Sequence, residues 1–215
     1  MIAACVVGLG SAGDVRAAML FDPGFFTALD TEDFTLITFD DRSPALGIGF
    51  SEVIPAGAYS DLGVAFTAMP GDPQVRWVRD GSPDFTAVRS MLGLGDISIP
   101  GALVDEFEIV FSTPVLAFGM WAIHNNGFET LPRFEAFDSE GESLGEVVLG
   151  DGPVQTLGVA DYGFMGIVAD REIARVSVSK DAAIFDNLYF SPIPGPGPAA
   201  ALLIGAGALG LRRRR

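Results

Sequence analysis

Residues 106–112 read Glu-Phe-Glu-Ile-Val-Phe-Ser, and this stretch decides the fold. Apolar and polar side chains alternate, so Phe107, Ile109 and Phe111 share one face and Glu106 and Glu108 the other. A period of two is the mark of a half-buried strand. Three residues further on, residues 115–123 (VLAFGMWAI) are apolar throughout, which suits a strand covered on both faces.

The same character spreads in both directions. Short apolar or alternating runs occupy residues 34–39, 63–67, 133–137, 143–149, 164–169, 173–179 and 184–190. Asp138-Ser139-Glu140-Gly141 separates two of them and reads as a hairpin turn. Sustained helical periodicity is absent. The best helical candidate is residues 85–93, where Ala87, Val88, Met91 and Leu92 are spaced for one face. Nine strands with hairpin-length connections predict an all-β fold, an antiparallel β-sandwich or jelly roll.

Both ends of the chain differ from this middle. Residues 2–10 are apolar and precede the small residues Ala12, Gly13, Ala17 and Ala18. This reads as the back half of a secretory signal peptide without its basic start. At the other end, SPIPGPGP (191–198) leads into AAALLIGAGALGL (199–211), and Arg212, Arg213, Arg214 and Arg215 follow. The spacer is barred from regular structure by its prolines and glycines. The apolar run partitions into a bilayer as a hydrophobic helix, and the arginines stay on the cytoplasmic side. Its thirteen residues are short beside the roughly 20 of a spanning helix. The expected organisation is therefore a partial signal peptide (1–18), a β-sandwich ectodomain (19–190), a Pro/Gly linker (191–198) and a C-terminal hydrophobic sorting helix with its Arg cluster (199–215).

The tail, built on Pro194, Pro196 and Pro198, the apolar run and Arg212–Arg215, resembles the PEP-CTERM sorting signals, in the branch closer to a V-P-L-P-A motif. It departs from them in carrying glycines, and no Glu, between the prolines. The resemblance implies an exported protein held transiently in the membrane through its tail. An exosortase-like transpeptidase would cleave it there and pass it to the cell surface or extracellular matrix. The middle is also similar to the jelly-roll ectodomains found on such proteins. The matching segments are ITFDD (37–41), AFGM (117–120), FDSEGESLG (137–145), FMGIVAD (164–170) and FDNLYF (185–190). Those domains are shaped like carbohydrate-binding modules, which raises polysaccharide as a partner.

Composition narrows the function. The formal net charge is −15, from 13 basic and 28 acidic residues, and without the four terminal arginines it is −15 − 4 = −19. Such a surface repels phosphates, so nucleic acid is not expected as a partner. The lone cysteine, Cys5, lies in the leader, which leaves the ectodomain without disulfide or thiol chemistry.

Catalytic signatures are sparse. His124 is the only histidine; it stands where a strand enters a turn and reads as a polar loop residue. No G-x-S-x-G elbow is present. The acids Asp105/Glu106/Glu108, Glu140/Glu142 and Asp40/Asp41 are the pairs that a glycan hydrolase would draw on. Trp77, Trp121, Tyr59 and Tyr162 are the aromatic candidates for sugar stacking; Trp77, between Arg76 and Arg79, reads as partly exposed and Trp121 as core. For metals, hard oxygen ligands suit calcium. The first and last strands of a jelly roll lie side by side, so Asp186 with Asp40 or Asp41 could hold a structural calcium. No other cofactor is expected. The expectation is thus a non-catalytic exported surface protein; the alternatives are a surface glycan-active hydrolase and a soluble binding module whose tail is a core element.

Overall fold

The computed structural model describes residues 17–27, 33–40, 47–69, 74–96, 98–99, 106–179 and 183–191. The sorting residues Pro194, Pro196, Pro198 and Arg212–Arg215, and Asp41, lie outside them. Eleven strands and two α-helices are seen: β1 (Ala17–Leu20), α1 (Gly24–Thr27), β2 (Thr35–Ile37), β3 (Ser51–Val53), β4 (Val64–Ala68), β5 (Arg76–Val78), α2 (Pro83–Leu92), β6 (Glu106–Asn125), β7 (Arg133–Phe137), β8 (Ser143–Val148), β9 (Gln155–Leu157), β10 (Ala160–Ser179) and β11 (Ala183–Ser191). All the described strand pairs are antiparallel, and the fold is all-β.

The two long strands, β6 and β10, organise everything else. Each has 20 residues and pairs with the other along its length. Register shifts fall between Val168 and Arg175, opposite Val110–Ala117. Each strand bends there and so serves two layers. One layer combines β2, β11, the second half of β6, the first half of β10, β1 and β9. The other combines β4, the first half of β6, the second half of β10, β7 and β8.

Between the layers lies a phenylalanine stack. Phe118 meets Phe134 at 5.6 Å, Phe134 meets Phe185 at 5.3 Å, and Phe107 meets Phe185 at 6.1 Å. All four side chains are fully buried. Truncating one to Ala in such a core costs about 3–5 kcal/mol. The alternation in residues 106–112 is explained here: Phe107, Ile109 and Phe111 enter this core while Glu106 and Glu108 face outward.

The sequence divided β6 at Pro114 and β10 at Asp170–Glu172, but both run on. Proline lacks a ladder donor and is tolerated where pairing is already interrupted, and Pro114 sits in the stretch where the register shifts. Four strands escaped the sequence reading, β1, β3, β5 and β9, each of three or four residues. In β1, Ala17 and Ala18 pair with Ala169 and Val168, so the boundary drawn after residue 18 falls inside a strand. The single expected helix is α2, with Pro83 in its first turn and Gly93 closing it at φ 69°.

The layers are dressed unequally. Over the first, Phe85 and Val88 of α2 cover Ile123, Tyr162 and Ile184, and Phe26 of α1 covers Phe164 and Tyr189. The outer face of the second presents Glu106 and Glu108, Arg175 and Ser177, Glu135 and Phe137, and Glu146, all at least partly exposed. Among the described residues no helix is long and apolar enough to cross a membrane.

Candidate functional site

Asp186 is brought to Asp40 by strand register. Leu188 of β11 pairs with Ile37 of β2, and the strands are antiparallel, so the chain beyond Ile37 runs back toward Asp186. Phe39 takes a left-handed conformation (φ 65°), and so does Asn187 (φ 51°). They are the only described non-glycine residues to do so, and each adjoins one of the two acids. An aromatic side chain in that region is strained, and such strain gathers where a site over-determines the backbone. The register of β11 with β6 also breaks between Asp186 and Tyr189, which is the bulge that accommodates Asn187.

Around Asp186 the polar groups are few and specific. It is wholly buried. Its Oδ1 accepts from the Asn187 backbone N–H at 2.7 Å, and its Oδ2 accepts from Ser98 Oγ at 3.2 Å. Ser98 is delivered by the isolated bridge in which Ile99 pairs with Phe185 and Ser98 with Val78. Burial pushes the Asp186 carboxyl well above its ordinary value; the Asn187 N–H and Ser98 pull it down, nearby Asp40 pushes it up, and Arg89 pulls it down.

Arg89, on α2, is also buried. It donates to the Asp96 carbonyl at 2.8 Å, the Asp80 carbonyl at 3.0 Å and Ser98 Oγ at 3.4 Å. Its Nε and the Asn187 Oδ1 are buried without a hydrogen-bond partner among the described residues. Gly95 makes room for the other acid: a Cβ there would overlap Asp40 Oδ2. The result is two carboxyls and a hydroxyl gathered near Arg89 of α2. As a donor set it is all oxygen, the chemistry of a hard cation. Among the described residues no three His, Cys, Asp or Glu side chains gather as a metal group.

The other candidates are distributed differently. Glu106 and Glu108 share the open face of the second layer, where Arg175 holds Glu108 at 2.6 Å and lies 3.9 Å above the Phe137 ring. Ser177 pairs with Glu108 on one side and with Glu135 on the other, so these two glutamates flank it. Glu142 pairs with Arg171, and Asp105 lies outside the described residues.

Two expectations are corrected. His124 is no loop residue: β6 continues to Asn125, and His124 is fully buried between Asp161 of β10 and Ala183 of β11. The sugar-stacking set does not line a surface. Trp77 is 3% exposed and donates from Nε1 to the Tyr59 hydroxyl at 2.9 Å; Tyr59 and Tyr162 are buried as well. The flanking arginines misled: in the strand Arg76 points to the face opposite Trp77, and Arg79 lies beyond the end of β5. Trp121, read as core, is half-buried and packs edge-on against Phe164. Ser98 and Arg89 were missed; nothing local distinguishes them from other surface-type residues.

No protein-family model matches the chain, and no curated protein matches it. Among solved structures it is similar to the crystal structure of bacteriophage CBA120 tailspike protein 4 enzymatically active domain, at 13% identity and a TM-score of 0.26. The match covers 65% of this chain and 19% of that one, so the chain spans about a fifth of that protein. A likeness at that score carries no argument.

Proposed function

We propose that this chain is an exported, non-catalytic component of the cell surface or extracellular matrix, a jelly-roll-like sandwich carried on a membrane-directed tail. The observation that carries the reading is the order of the C-terminal segments: proline spacer, apolar run, four arginines. The fold is compatible with it, because β11, buried along all nine residues, runs straight to the start of that spacer at Ser191. In this reading residues 199–211 form the sorting helix, an exosortase-like transpeptidase is the processing partner, and polysaccharide is the surrounding medium. Any leader is removed before Ala17, since cleavage after Ala18 would cut β1. The decisive experiment places the tail on a reporter in a host with an exosortase and replaces Arg212–Arg215 with serines. Loss of processing and membrane retention supports the reading; unchanged behaviour ends it.

The polar cluster is proposed as a structural calcium site: the carboxylate of Asp186 with that of Asp40 or Asp41 would supply the ligands. Calcium would offset the repulsion between the two acids. Melting temperature should rise from chelator to millimolar calcium and stay flat in Asp186→Ala.

One observation favours a second reading, the surface glycan-active hydrolase. Glu108 and Glu135 flank Ser177 on an open sheet face, on strands about 9.5 Å apart. Inverting glycosidases separate their carboxyls by about 6.5–9.5 Å. Release of reducing ends from a polysaccharide, abolished in Glu135→Gln, would replace the non-catalytic reading by this one.

A further inference from the structure

The two most exposed large apolar side chains of the described residues are neighbours on one turn: Ile48 at 68% and Phe50 at 66%. The turn is firmly held. Phe50 N–H donates to the Gly47 carbonyl at 3.1 Å, Gly49 N–H to the Arg79 carbonyl at 2.8 Å, and Arg79 N–H to the Phe50 carbonyl at 3.1 Å. Gly49 supplies the left-handed residue (φ 78°) that the turn requires. Turn tips are ordinarily polar, and displaying two large apolar side chains on a hydrogen-bonded tip is costly in water.

Its direction follows from register. Ile99 pairs antiparallel with Phe185 of β11, Val78 of β5 pairs antiparallel with Ser98, and β3 pairs antiparallel with β5. Hence β5 runs parallel to β11, and β3 runs against it. The turn that precedes β3 therefore leaves the sheet in the direction in which β11 leaves it, toward Ser191 and the spacer. It stands three strands to the side of β11, about 14 Å.

Resting on the membrane-directed tail proposed above, we infer that Ile48 and Phe50 form a second, shallow contact with the same bilayer. They would seat in the interface and fix how the domain stands on the membrane. The occupant is a neutral, zwitterionic lipid surface: the chain carries a net charge of −15 and is repelled by anionic headgroups. An aliphatic and an aromatic side chain side by side suit the headgroup–acyl boundary. Lipid is favoured over sugar because Ile48, the more exposed of the pair, offers no stacking face. Arg79, whose backbone pairs with this turn, is engaged with Asp96 at 2.6 Å.

The test uses the full chain with Cys5→Ser and one labelled cysteine, at Phe50→Cys or, as a control, at Val159→Cys beside the far end of β6. An environment-sensitive fluorophore reports each position on phosphatidylcholine vesicles, and flotation reports attachment of the whole chain. The expected result is flotation, with a blue shift and quenching by lipid-borne nitroxide at position 50 and neither at 159. In unlabelled protein, Ile48→Ser with Phe50→Ser should weaken vesicle partitioning about tenfold, with the circular dichroism spectrum unchanged. A chain that floats while position 50 reports water, or reports the same as 159, overturns the inference and leaves the tail reading standing. A chain that does not float overturns both. A response at position 50 to soluble polysaccharide without vesicles assigns the turn to glycan instead and also overturns it.

Discussion

Ser98 Oγ donates to Asp186 Oδ2 at 3.2 Å across 88 residues of sequence. This contact ties the segment after α2 to the closing strand at its bulge. It also sets the electrostatics of the interior, because Asp186 is a buried acid with a serine and a backbone N–H as its direct donors, Arg89 nearby and Asp40 opposing.

The first prediction concerns pH. Burial raises the Asp186 carboxyl well above 3.8 in the folded state, and Asp40 adds to that against Asn187 N–H, Ser98 and Arg89. A raised acid binds more protons folded than unfolded, so its contribution to stability is present below the unfolded value and is lost as pH rises through the folded one. Melting temperature should fall over that window in the native chain. Asp186→Asn, which keeps a hydrogen-bonding amide and no charge, should remove this part of the slope. An identical slope in both proteins refutes the assignment.

At the β7–β8 turn the sign is opposite. Burial pushes Asp138 up, but the backbone N–H groups of Glu142, Glu140 and Gly141 and the Arg171 guanidinium outweigh it and hold the carboxyl below 3.8. Its contribution is present above the unfolded value and is lost as pH falls through the folded one. Asp138→Ala should therefore speed amide exchange at Glu140 and Glu142, whose N–H groups donate to Asp138 Oδ1 at 2.9 Å. Protection equal to that of the native turn would show that the carboxylate is not what orders it.

Gly95→Ala should disturb the acidic cluster. The new methyl would fall onto Asp40 Oδ2, so the Asp40 carboxylate must shift. The expected outcome is a lower melting temperature and a weaker response to calcium. A normal calcium response in this variant would exclude Asp40 as a ligand.

Tyr59→Phe should cost about 1–3 kcal/mol, because it leaves the Trp77 indole N–H buried without its acceptor. Denaturant unfolding measures it. A cost below about 0.5 kcal/mol would mean that the indole finds another partner.

The residues whose structure the sequence determined by itself are those whose partners are close along the chain. Alternation at residues 106–112 gave a strand with the buried face expected of it, and residues 133–137 form a strand as expected. Asp138 and Gly141 specify their own turn, since every donor to Asp138 Oδ1 lies within four residues. Helix α2 carries its own start and stop in Pro83 and Gly93. Tertiary structure decided the rest. Pro114 reads locally as a strand end, yet β6 passes through it because pairing on both sides outlasts one missing donor. Trp77 sits between arginines, and only its docking beside Tyr59 buries it. Asp40, Arg89, Ser98 and Asp186 come from four separate segments and meet through β2–β11 register and the Ile99–Phe185 bridge. Periodicity records which face of a segment is apolar. It holds no information about which distant strand will supply the partner, because that pairing is chosen by the packing of the whole sheet.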